Sequence, residues 1–111
     1  MIIINKNEGK KIPYEVTGTK ITFDDEIMCN LAKYERDDAN HLDICRDAYG
    51  NLVNGVPDAA GKYVAQIDIP PRTYHMADAG YQDEDGQEVQ VPEADPLDMD
   101  KVKLTLWSVE D

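Results

Sequence analysis

Residues 62–69 read KYVAQIDI, and Pro70 and Pro71 follow at once. A period of two places Tyr63, Ala65, Ile67 and Ile69 on one face of an extended strand, and Lys62, Gln66 and Asp68 on the other. The prolines stop that strand. Each lacks an N–H, and the pair favours an extended, polyproline-like exit.

The same period recurs along the chain. Ile12, Tyr14 and Val16, then Thr19, Ile21 and Phe23, form two short apolar faces on either side of Thr17-Gly18, which predicts a hairpin over 12–23. Pro13 suits an edge strand. KVKLTLWSV, residues 101–109, alternates Val102, Leu104 and Leu106 with Lys101, Lys103 and Thr105. EVQV, residues 88–91, is a weaker strand before Pro92, and MIII, residues 1–4, is a short candidate for a buried one. Residues 47–61 hold Gly50, Gly55, Pro57 and Gly61 and read as a loop or a pair of short irregular strands.

Residues 24–48 admit two solutions. DDEIMCNLAKYER can open a helix over 25–36, with Asp24 or Asp25 as N-cap and Ile27, Met28, Leu31 and Tyr34 at helical spacing. It can also form a strand paired with HLDIC, residues 41–45, through a turn at Asp37–Asn40. The clean alternation of HLDIC favours the hairpin. The chain of 111 residues suits one domain. The expected fold is all-β, a single-domain antiparallel sandwich or open barrel of about six to eight short strands. An α+β fold with one helix near 25–36 is the alternative.

Charge narrows the partners. The net charge is −12, and the stretch Thr73–Asp100 contains nine acids and no Lys or Arg. The rest of the chain is nearly balanced, with 14 acids against 11 basic residues. Such a chain cannot displace counterions from phosphates without a basic surface, so direct nucleic-acid binding is not expected. An anionic membrane is disfavoured for the same reason. The apolar MIII run ends at Asn5 and Lys6, too short for a secretion signal. No segment approaches the length of a membrane span. The two cysteines lack CxxC spacing and read as reduced thiols. The expected location is cytoplasmic, or a virion if the chain is phage-derived.

Chemistry-bearing motifs are sparse. In the hairpin arrangement Cys29 shares the core face with Leu42 and Ile44, while His41, Asp43 and Cys45 project from the outer face, so a Cys29–Cys45 disulfide would have to cross the sheet. His41, Asp43 and Cys45 are possible zinc ligands, but strand residues i and i+4 stand about 13 Å apart, too far for one ion. Ser108 is the sole serine and lies outside any G-x-S-x-G. The seven glycines form no phosphate loop. In YQDEDGQEVQVP, placing Gly86 at the sixth position of a calcium loop puts Tyr81 and Pro92 where the first and last ligands belong, which rejects an EF-hand. Asp95, Asp98 and Asp100 leave a looser cation site open. Glu84-Asp85-Gly86-Gln87 reads instead as a tight turn before EVQV.

These features imply a non-catalytic module for protein–protein assembly, of the kind used in phage or prophage particles, without a cofactor. The expected contact surface is an acidic arm or hairpin over 70–100. Tyr74 and Tyr81 supply its aromatic anchors, and Asp83, Glu84, Asp85, Glu93 and Asp95 its charge. The expected partner is another protein or a second copy. An acidic mimic of nucleic acid, inhibiting a DNA- or RNA-directed enzyme, is the first alternative. A metal-dependent enzyme built on His41, Asp43 and Cys45 is the second.

Overall fold

The computed structural model describes residues 1–56 and 62–109, and these form ten strands in three sheets. The largest sheet has the order β1 (Ile2–Asn5), β10 (Lys103–Leu106), β7 (Lys62–Ile69), β5 (Asn40–Arg46) and β6 (Leu52–Asn54). A second sheet holds β2 (Tyr14–Thr17), β3 (Lys20–Phe23) and β4 (Ile27–Asn30). The third is a hairpin of β8 (Tyr74–Gln82) and β9 (Glu88–Ala94). The fold is all-β. Strand pairs are antiparallel, apart from β1 with β10. Among the described residues no helix is long and apolar enough to cross a membrane. Pro57 and Gly61 lie outside the described residues.

The first two sheets share one core. Ile21 and Phe23 of β3, Cys29 of β4 and Leu31 meet Leu42, Ile44, Val64, Ala65, Ile67, Ile69, Leu104 and Leu106 from the five-stranded sheet, and Val102 just before β10. The period-two runs supply almost all of these side chains. The β2–β3 turn centres on Gly18-Thr19, and Gly18 takes φ +61° while Thr19 stays at negative φ, as a type II′ turn requires.

Residues 24–48 depart from the expected pairing. β4 is a strand, as the hairpin solution has it, but its partner is β3, with Phe23 opposite Ile27. The cause is a left-handed turn: Asp24 and Asp25 adopt φ 50° and 54°, and the Glu26 N–H donates to Phe23 O at 2.9 Å. Aspartate tolerates this region better than most side chains. The helix near 25–36 shrinks to a single 3-10 turn, Leu31–Tyr34. Residues 35–39 then lead to β5, in the other sheet. Arg46 of β5 reaches back to the turn, 3.5 Å from Asp24 and 3.3 Å from Glu26.

The third sheet stands away from that core. The molecule measures 68 × 26 × 21 Å, with a radius of gyration of 18.8 Å. A compact chain of this length would have about 13 Å. Nine residues of β8 at strand rise span about 30 Å, which accounts for the elongation.

Candidate functional site

The arm is built on Pro70 and Pro71, which end β7, and on Arg72, which ties its root. The Arg72 N–H donates to Arg36 O at 2.7 Å, and its guanidinium donates to Glu35 O at 2.8 Å and lies 3.6 Å from the Glu35 carboxylate. The Tyr74 hydroxyl donates to Asp37. Across the hairpin, Asp95 accepts from the Thr73 hydroxyl and pairs with His75 Nδ1, both at 2.6 Å, while Glu93 lies 3.8 Å from His75 Nε2. The Thr73 hydroxyl first, and then His75, holds the Asp95 carboxyl below the usual carboxylate range. Tyr74, Glu93 and Asp95 thus gather at the root, where Tyr74 and Asp95 are engaged within the chain.

The tip is a loop closed by Asp83. Its carboxylate accepts from the N–H groups of Asp85 and Gln87, both at 2.9 Å, while Gly86 N–H donates to Asp83 O at 3.1 Å and Gly86 takes φ +77°. The tight turn therefore begins at Asp83, one residue earlier than expected. The loop at Asp47–Asn51 repeats the arrangement, with Asp47 accepting from Tyr49 and Asn51 and with Gly50 at φ +81°. D-x-x-G is the shared local signal: a side-chain acceptor at its start and a left-handed glycine at its end. Glu84 and Asp85 remain on the exposed turn beside Tyr81, which is 62% exposed.

Between root and tip both faces of the hairpin meet solvent. Tyr74 and Met76 share a face with their ladder partners Ala94 and Pro92. Ala77 and Val91 share the other. Met76 is 59% exposed and Val91 is exposed as well. The ladder slips between Asp78 and Gln82, and a hollow lined by Asp78, Gly80, Tyr81, Gln82 and Glu88 lies at that irregularity. Met76, Val91, His75 and Arg72 are the arm residues that charge counting missed. Met76 could have been found from its spacing of two from Tyr74.

The proposed metal triad takes another form. Ladder partners on β5 and β7 set His41 beside Asp68 and Asp43 beside Gln66. His41 Nδ1 lies 2.6 Å from Asp68, and its Nε2 2.7 Å from Asp43. Asp43 also accepts from Gln66 Nε2 at 3.0 Å, and Gln66 Oε1 accepts from the Trp107 indole N–H at 2.8 Å. The Trp107 ring stacks on Tyr63, with Lys6 5.6 Å from its centroid. Both ring nitrogens of His41 therefore serve as donors, which suits an imidazolium and leaves no lone pair for a metal. Cys45 is not a solvated outer residue but is buried, opposite Tyr63 where β7 carries an extra residue. Burial first, and then Asp43, raises its thiol pKa. Cys29 lies in the core, and both thiols are free.

Among the described residues no three His, Cys, Asp or Glu side chains are grouped to hold an ion. Asp95, Asp98 and Asp100 are engaged separately: Asp98 caps the short turn at Asp100 N, and Asp100 lies 3.9 Å from the Met1 amino group.

The hydrogen bond to Asp68, ahead of that to Asp43, raises the His41 pKa above the ordinary 6.5. A folded pKa above the unfolded one gives stability that is fully present below about pH 6.5 and is lost as pH rises through the folded value. Thermal melts of His41→Gln should therefore fall further below the native chain at about pH 5.5 than at about pH 8.5. A gap independent of pH would show that His41 is not charged in the fold. No family model, curated protein or solved structure matches the chain.

Proposed function

We propose that this chain is a non-catalytic assembly module, a part of a multi-subunit particle such as a phage or prophage head or tail. It docks through the β8–β9 arm onto a protein partner or another copy. The supporting observation is the arm itself: Tyr74, Met76, Tyr81 and Val91 are exposed on a two-stranded hairpin outside the core. An isolated hairpin is marginally stable in water, and apolar side chains on it gain burial only when something covers them. The acidic tip adds a single-sign field that steers a basic surface toward it. His41 supports a structural rather than catalytic role for the outer face, since both its nitrogens are committed to carboxylates and neither is a free base.

Hydrogen exchange tests the proposal. In the dilute chain, arm amides should exchange quickly while β7 and β5 stay protected. In the assembled state, the arm should gain protection. Arm amides as protected as those of β7 in a strictly monomeric chain would overturn it, because the arm would already be covered.

A further inference from the structure

Among the described residues nothing covers the arm, and nothing covers one margin of the main sheet. β1 is the outermost strand, and among the described residues nothing pairs with its far side. The N–H groups of Ile2 and Lys6 point inward, to Val102 O and Leu106 O at 2.8 Å. By the alternation of a parallel ladder, Ile3 and Asn5 turn their backbone N–H and C=O groups outward. Ile2, Ile3 and Ile4 are 45%, 42% and 39% exposed, so this edge is apolar on both faces and carries no proline or charge. Such an edge is a template for an added strand. Directly after it come Lys6, Lys10 and Lys11, with Glu8 the one acid among residues 6–11.

β8 offers the complementary strand. Among the described residues it pairs only with β9, and it runs from Tyr74 to Gln82 without a proline. Its sister β9 is blunted by Pro92, which has no N–H to give. The tip beyond β8 carries Asp83, Glu84 and Asp85.

We infer that β8 of one copy adds to the open edge of β1 in a second copy, with the acidic tip against Lys6, Lys10 and Lys11. This rests on the assembly function proposed above and names its partner. Charge favours this pairing over parallel self-pairing, in which β1 against β1 brings lysines to lysines and β8 against β8 brings tip carboxylates to tip carboxylates. Parallel alignment of β8 with β1 is the sense that carries the tip toward the lysines. Main-chain hydrogen bonds supply the affinity, as in other strand additions. Donor and acceptor are different surfaces, so each copy holds one of each. The contact propagates head to tail, into a closed ring or an open filament.

Two full-length variants test this by light scattering. Ile3→Pro removes an outward N–H without touching the bonds that Ile2 and Lys6 make to β10. Ile3→Lys, which places a charge on the edge, serves if the proline disturbs the fold. The second variant reverses the tip, with Asp83→Asn, Glu84→Lys and Asp85→Lys. Each should have the mass of a single chain, where the native chain self-associates. An equimolar mixture should form a dimer and stop there, because one variant supplies the arm and the other the edge. Raising salt from about 0.05 to 0.5 M should weaken native self-association by about tenfold or more. Variants that still self-associate, or a mixture that stays monomeric, would overturn the inference. A native chain monomeric at every concentration, with its arm protected only by a different protein, would overturn it and leave the assembly proposal standing. An arm protected within the monomer would overturn both.

Discussion

Phe23→Ala should lower the stability of the fold by about 3–5 kcal/mol, a large share of the 5–15 kcal/mol that such domains possess. Phe23 is fully buried on β3, in the core that the three-stranded sheet shares with the five-stranded one. No second phenylalanine is present to compensate. Truncation removes the ring from the joint between the sheets and leaves a cavity that rigid strands close poorly. Urea unfolding followed by circular dichroism would show a lower midpoint at unchanged slope. A loss below about 1 kcal/mol would mean that the two sheets do not pack through this residue.

Trp107→Ala should cost about 3 kcal/mol, the low end for truncating a large aromatic, because the ring is only partly buried. Three contacts go at once: the stack on Tyr63, the bond from the indole N–H to Gln66 and the contact with Lys6. Trp107→Phe keeps a ring and removes the N–H, so it should cost about 1 kcal/mol. The same urea series separates the two. Equal losses for both variants would assign the whole effect to the hydrogen bond and none to stacking.

Much of the framework was legible because it is local. Ile21 and Phe23, Ile67 and Ile69, and Leu104 and Leu106 alternate in the sequence, and all are buried in the structure. What alternation cannot name is a partner. Ile27–Leu31 and His41–Cys45 have compatible faces, and only the left-handed pair Asp24-Asp25 sends β4 to β3 instead. Asp-Asp is a weak signal for such a turn beside Asp-Gly or Asn-Gly. Burial of Cys45 was hidden for a similar reason, since its ladder neighbours, Val53 and Tyr63, come from elsewhere in the chain. The acidic arm was visible in the charge count. Its two-sided exposure was not, because alternation in MADAG and EVQV is blurred by small and polar residues that fit either face.

The parallel pair of β1 and β10 also has a bearing on how the molecule comes into being. It joins the first strand to the last, with Ile3 opposite Leu104, and further bonds fasten Asn7 to Ser108 and Lys10 to Val109. Nearly the whole chain lies within that loop. Contacts between such distant positions slow folding, since the entropy of closure comes before any reward. During synthesis β1 emerges before β10, so the isoleucine strand spends that interval without its ladder partner. That ladder cannot form before β10 is translated, so during synthesis the clasp between β1 and β10 follows the emergence of the other strands of the sheet.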